Sequence, residues 1–95
     1  MHYVYILQSQ STKDYYIGQT EDIEIRLAQH NTGFYTKAYT SNLKDWQLVH
    51  LITCNSITQA IKIESHIKRM KSRIYLESIQ KYPEISQKLI IKYSD

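Results

Sequence analysis

Five side chains have types and spacings that could act together on an anionic ester: Tyr5, Tyr16, Arg26, His30 and Glu64. Arg26 and His30 are four apart, so on a helix both project from the side that also carries Ile23 and Leu27. A guanidinium fork can bind two oxygens of a phosphate while a neighbouring imidazole exchanges a proton. The plainer possibility is local: Asp22 pairs with Arg26, and His30 caps the helix's carbonyl end. Glu64 is predicted to fall inside an apolar arc made by Ile57, Ala60, Ile61 and Ile67, where a carboxylate loses hydration and must gain a cation or strong donors. It could serve as a metal ligand at a cleft edge, or simply pair with Lys68 one turn on, a contact worth about 0.3–0.5 kcal/mol when exposed. Tyr5 and Tyr16 fall on two strands of one predicted hairpin. If they share a face, their phenols are either an aromatic core pair or two oxygens within reach of one ligand.

The elements that must position these residues are legible from pattern. Tyr3 to Leu7 is aromatic and β-branched, a strand. Gln8 to Asp14 is polar and turn-like, and Tyr15-Tyr16-Ile17-Gly18 returns as a second strand that Gly18 is expected to break. Thr20 is the expected N-cap of a first helix, with Glu21 and Asp22 in its first turn and Asn31-Thr32-Gly33 closing it after His30. Phe34 to Asp45 has no clear period and reads as a long loop. Trp46 to Cys54 is a third strand. Ser56 followed by Gln59 fits a capping box opening the longest helix, with apolar positions continuing to Met70 and Ile74 and with Lys62, Ser65, His66 and Arg69 on its solvent face. Tyr75 to Ile91 is helical and interrupted at Tyr82-Pro83. The order strand, strand, helix, strand, helix, helix predicts an α+β fold: a three-stranded antiparallel sheet flanked by helices. One domain is expected over residues 1–95, with a core at 2–74 and a helical tail at 75–95.

Composition narrows the function classes. Hydrophobic residues are 42% and charged residues 22%, which suits a folded globular chain and not a disordered one. Cys54 stands alone, so neither an intrachain disulfide nor a cysteine-held zinc is available. No stretch approaches the roughly 18 apolar residues of a membrane span, and the first residues read as a strand and not as a signal peptide. The expected compartment is therefore the cytoplasm. Net charge is +3, and it is unevenly spread. Between Ala60 and Tyr93 stand Lys62, Lys68, Arg69, Lys71, Arg73, Lys81, Lys88 and Lys92 against Glu64, Glu77 and Glu84. A basic half favours a polyanionic partner, nucleic acid first.

Taken in order, Tyr3-Val4-Tyr5, Tyr16-Ile17-Gly18, Arg26 with His30, and Glu64 on a long helix resemble the signature of the GIY-YIG endonucleases. Gly18-Gln19-Thr20, His30-Asn31-Thr32-Gly33, Lys37-Ala38-Tyr39-Thr40 and Glu64 with Ile67-Lys68 resemble the small stand-alone members in particular. The set is also similar to the N-terminal nuclease domain of the bacterial excision-repair incision subunit. The likeness spans Tyr3 to about Arg73. It departs at Tyr3, where many relatives have Gly, at Gln19, where some carry a basic residue, and in having no Asn after Asn55. The resemblance implies metal-dependent hydrolysis of phosphodiesters in DNA, with Tyr5, Tyr16, Arg26, His30 and Glu64 as the catalytic set. Glu64 would hold one divalent ion, Mg²⁺ or Mn²⁺; a single candidate carboxylate also suits one largely hydrated hard cation better than a two-metal site. Lys68 and Lys71, with Lys37 and Tyr39 in the loop, are the expected nucleic-acid contacts. With no separate recognition domain, tight sequence specificity would call for a homodimer or a partner protein. The competing expectation is a non-catalytic nucleic-acid-binding module on the same fold.

Overall fold

The computed structural model describes residues 1–32 and 44–94. Strands β1 (His2–Ser9), β2 (Tyr15–Thr20) and β3 (Trp46–Cys54) form one antiparallel sheet in the order β2-β1-β3. Helices α1 (Ile23–Asn31), α2 (Ile57–Met70), α3 (Arg73–Lys81) and α4 (Pro83–Lys92) surround it. The α+β architecture is the expected one, with the C-terminal helical stretch divided where Pro83 sits at the start of α4. Proline is tolerated there because the first helical N–H needs no partner.

The central strand explains the two-sided packing. Along β1 the side chains alternate, and Val4, Tyr5, Ile6 and Leu7 are all buried. Both faces are therefore covered. Val4 and Ile6 join Ile52 and Cys54 of β3, Ala60, Ile63 and Ile67 of α2, Leu76 and Ile79 of α3, and Leu89 of α4 in the larger core. Tyr5 and Leu7 point the other way and pack with Trp46, Tyr16, Ile23 and Leu27 beneath α1. A bulge between Ile6 and Leu7 leaves Val49 as the extra residue of β3, since Ile6 pairs with His50 and Leu7 with Leu48.

Local caps differ from the sequence expectation in two places. Asp22, not Thr20, caps α1: its carboxylate accepts from the Ile25 N–H at 3.1 Å. Thr20 instead ends β2, its hydroxyl accepting from the Asp22 N–H at 3.1 Å and holding the bend into the helix. The long helix is also shorter than its apolar pattern suggests. It stops at Met70, where Lys71 takes a left-handed conformation at φ 47°, and Ser72 caps α3 by accepting from the Tyr75 N–H. Ile74 is consequently on α3 and exposed.

The N-terminus of α2 holds as predicted. Ser56 Oγ accepts from the Gln59 N–H, while the buried Gln59 side chain accepts from Asn55 N–H and donates to the Ile90 carbonyl, tying α2 to α4. At the other end of the sheet, Asp45 accepts from Ser9 Oγ and the Ser11 N–H, holding the β1–β2 turn against the start of β3.

Candidate active site

The register of the hairpin puts the two phenols on one face. Tyr5 lies opposite Gly18 and Leu7 opposite Tyr16, so Tyr5 and Tyr16 flank the same stretch of β1 and β2 beneath α1. Their ring centroids are 6.4 Å apart. Gly18 does not break β2, contrary to expectation; it runs through the strand and leaves room for its partner across the ladder. A Cβ placed there would come within 2.6 Å of Tyr5 Cζ, so the ring occupies the space a side chain would fill. The glycine sets the position of the phenol.

Helix α1 brings the next two groups. The turn of 3.6 residues puts Ile23, Arg26, Leu27 and His30 on one side. Ile23 and Leu27 pack against Tyr5, Leu7 and Trp46, and this seats His30, only 2% exposed, over the phenols. Tyr5 Oη and His30 Nε2 are hydrogen-bonded at 3.0 Å, and the Tyr16 ring lies 4.8 Å from the imidazole, centroid to centroid. Burial, with the Arg26 guanidinium as a second cause, lowers the His30 pKa from 6.5 to about 4. The imidazole is therefore neutral at pH 7 and can accept a hydrogen bond from the Tyr5 hydroxyl. Arg26 itself is half-exposed, placing a cation at the mouth of a buried aromatic cluster.

Two residues that pattern alone does not single out complete this side. Trp46 meets Tyr16 edge-on at 6.4 Å. Asn31, the last residue of α1, accepts from the Trp46 N–H at 2.8 Å and donates to its carbonyl at 2.9 Å. This double bond of side chain to backbone fixes the end of α1, one residue from His30, to the first residue of β3. Nothing in the local sequence marks Asn31 for this task, because its partner is 15 residues away.

The structure thus brings together Tyr5, Tyr16, Arg26 and His30. Glu64 is not bonded to them. It lies half-buried on a flank of α2, and its ion pair is with Lys68, at 3.7 Å. The apolar arc expected around it is narrower than predicted: Ala60, Ile63 and Ile67 face the sheet, whereas Ile57 and Ile61 are exposed. Glu64 is at the margin of that arc and partly hydrated, which explains why a single lysine suffices. Helix α2 packs over β1 and β2, while α4 reaches β3 through a 2.7 Å bond between Ser86 and His50. His66, on the flank of α2 nearly opposite Glu64, bonds Tyr93 at the end of α4. Glu64 therefore lies on the flank of α2 turned away from Tyr93, and α2 itself packs on the Val4 and Ile6 face of the sheet, opposite the face that carries Tyr5 and Tyr16.

Lys68 is exposed beside Glu64, and Lys71 stands just past the helix end in its left-handed position, not on the helix surface. Lys37 and Tyr39 lie outside the described residues. Among the described residues no three His, Cys, Asp or Glu side chains gather closely enough to enclose a metal ion. The donor set fits a different kind of site: one partly hydrated carboxylate, whose partner among the described residues is an exposed lysine, can hold a hard cation that keeps most of its waters. No helix among the described residues is long and apolar enough to cross a membrane.

A buried Tyr–His pair thus lies beside an arginine on this hairpin and helix. Residues 1–82 match the GIY-YIG catalytic domain. A UPF0213 protein of Syntrophus aciditrophicus is 41% identical over 83 residues, covering 87% of this chain and 94% of its own length. UPF0213 proteins of Halobacterium salinarum and Staphylococcus haemolyticus are 35% and 33% identical over 79 residues, each covering 83% of this chain and 99% and 94% of their own lengths. No solved structure gives a significant match. The chain belongs to the GIY-YIG family, a family of nucleases, and it spans nearly the whole length of these relatives.

Proposed function

We propose that the protein is an endonuclease that hydrolyses phosphodiester bonds in DNA with one divalent metal ion, Mg²⁺ or Mn²⁺. The observation that carries this reading is the Tyr5–His30 hydrogen bond beside Tyr16 and under the charge of Arg26. Hydrolysis needs a proton acceptor for water and positive charge at the phosphoryl oxygens, and these groups are suited to both.

Arg26 binds a nonbridging oxygen of the scissile phosphate. Tyr5 takes the proton of the attacking water as its own phenolic proton passes to His30 Nε2, so the imidazole finishes protonated. The water oxygen forms the new bond to phosphorus while the ester bond from phosphorus to the departing sugar oxygen breaks, that oxygen taking up a proton from solvent. A phenol with pKa about 10 is a weak base at neutral pH, and bringing it to 7 takes about 4 kcal/mol. A neutral acceptor already bonded to the phenol offers a route for that proton. Substrate phosphate arriving at Arg26 offsets the guanidinium charge and makes His30 readier to accept it. Tyr16 donates a hydrogen bond to the phosphate, and the surrounding Trp46 and Leu7 exclude competing water. Glu64 would hold the cation, which when bound supplies positive charge for the phosphate and the departing oxygen. Lys68 is freed from its pair with Glu64 and contacts the strand, as does Lys71.

The test is a cleavage assay on labelled single-stranded, double-stranded and branched DNA, and on RNA, with Mg²⁺ or Mn²⁺ and with chelator. Metal-dependent cutting of DNA is expected from the wild type, and from Glu64→Ala none, with strand binding retained. Equal cleavage by Glu64→Ala removes Glu64 from the mechanism. Binding with no metal-dependent cutting favours the binding-module reading instead.

A further inference from the structure

A pairing of a cation with an aromatic ring lies on the other face of the sheet, at the hairpin end of β2. Tyr15 precedes Tyr16 on β2, so its side chain points away from the catalytic cluster, and it packs against the larger core. Helix α3 holds that ring from two positions. Arg73 and Gln80 are seven apart, close to two full turns, so both lie along one side of α3. The Arg73 guanidinium carbon stands 5.0 Å from the Tyr15 ring centroid, and Gln80 Nε2 donates to the Tyr15 hydroxyl at 3.3 Å. Arg73 Nη2 also donates to the Lys13 carbonyl at 3.0 Å, across 60 positions of chain. Lys13 sits in the β1–β2 turn at φ 64°, and its carbonyl takes a second bond from Gln8 Nε2 at 3.2 Å.

A brace between α3 and the hairpin needs a donor and not a charge, and a neutral amide would bond the Lys13 carbonyl as well. Arg73 adds a positive charge that forms no ion pair among the described residues, although Glu77 stands one turn along α3. Its side chain is exposed, whereas the ring that supports it is half-buried. A guanidinium carries five N–H donors in one plane, and the Lys13 carbonyl takes one of them. An arginine that lies on a ring and is bonded at one edge has already lost rotamer freedom, so less is lost when an anion arrives. The remaining N–H groups match two oxygens of a phosphate. Strand β2 is an edge of the sheet, so Arg73 beside Tyr15 and the cluster around Tyr16 stand on opposite faces of one margin.

We propose that Arg73, seated on Tyr15 and tied to the Lys13 carbonyl, is a phosphate contact for a nucleic-acid strand, outside the catalytic cluster and at the hairpin end of the β2 margin. The oriented cation stands on the distances above; the choice of a nucleic-acid strand rests on the nuclease reading. Phosphate oxygens take the remaining guanidinium N–H groups while the bond to Lys13 and the ring contact persist. The strand is held there without help from the metal or from Glu64.

The full-length protein, in chelator so that no strand is cut, is titrated with a short labelled thymidine oligonucleotide across salt. Arg73→Gln keeps an amide donor for the Lys13 carbonyl and loses the charge, whereas Arg73→Lys keeps the charge and loses the fork. Thermal midpoints are compared to check that both fold. Arg73→Gln should make the slope of log affinity against log salt shallower by about 0.7, the value for one phosphate contact on a single strand. Over the decade from about 1 M to about 0.1 M salt, that slope amounts to about fivefold weaker binding at the lower salt. Arg73→Lys should retain the wild-type slope. In the wild type itself, the assigned Arg73 Nε–H NMR signal should move as the strand is added. Strand binding with that signal unmoved, or an unchanged slope in folded Arg73→Gln, overturns the proposal and leaves the nuclease reading standing. A polyglutamate peptide that moves the signal where the strand does not assigns the cation to an acidic protein, and overturns it too. Strand binding that depends on Arg73 without metal-dependent cleavage supports the contact and removes the nuclease reading alone.

Discussion

Substituting Gly18 by Ala tests whether Tyr5 is held where it is by the absence of a side chain across the ladder. The added Cβ would lie 2.6 Å from Tyr5 Cζ and 3.0 Å from Cε1. Carbon atoms rest at about 3.5–4.0 Å, so something must move by nearly 1 Å. Tyr5 is 1% exposed and packs with Leu7, Trp46 and Tyr16, so its ring has little room to retreat. Overpacking of this kind costs about 1–3 kcal/mol, and the better strand propensity of Ala returns about 0.5–1 kcal/mol. A net loss of about 1–2 kcal/mol is expected. At a urea m-value of about 1 kcal/mol/M for a small domain, that shifts the midpoint down by about 1–2 M with m unchanged. Tyr5→Phe removes the hydroxyl oxygen, the Tyr5 atom nearest the new methyl. Gly18→Ala should therefore cost less in that background, by about 0.5 kcal/mol or more in a double-mutant cycle. The same variant should displace the phenol from His30 and alter the imidazole's titration. Gly18→Ala as stable as the wild type, or a penalty indifferent to Tyr5→Phe, would refute the claim that this glycine positions the phenol.

Two further outcomes follow from the same face of the sheet. His30 has a folded-state pKa of about 4 against 6.5, so the fold favours its neutral form. Its contribution is intact above pH 6.5, is lost as pH falls through the window down to about 4, and amounts to about 2–3 kcal/mol. His30→Gln should flatten the wild-type fall in urea-derived stability by that amount over pH 6.5 to 4; a parallel pH profile would show that His30 is not held neutral. Asn31→Ala removes the two bonds to the Trp46 backbone, each worth about 0.5–1.5 kcal/mol, so a loss of about 1–3 kcal/mol is expected. Trp46 is the sole tryptophan, so its fluorescence reports both the unfolding midpoint and any change in the seating of α1.

The class of fold and the identities of the chemical groups were legible in the sequence. Strand patterning is a property of neighbouring residues, so Tyr3 to Leu7, Tyr15 to Ile17 and Trp46 to Cys54 could be read as strands without knowing their partners. The same holds for the Arg26–His30 pair, because helical spacing alone puts residues four apart on one side. The ordered set of Tyr, Arg and Glu, read beside a known family, supplied the rest of the candidate site.

What tertiary structure decided concerns partners distant along the chain. Gly18 looked like a strand breaker because local propensity sees only its missing side chain; the register shows that the missing atoms make room for Tyr5. Ile57 and Ile61 extended the apparent apolar face of α2, yet only Ala60, Ile63 and Ile67 meet the sheet, and Glu64 is left at the margin with Lys68. His66 read as a surface residue until α4 brought Tyr93 against it from 27 positions away. His30's low pKa has the same origin, since its burial between α1 and the sheet depends on what the fold places opposite it and not on which residues adjoin it. Periodicity specifies which side of an element is apolar, whereas the energy of a burial or a bond depends on what the completed fold places opposite.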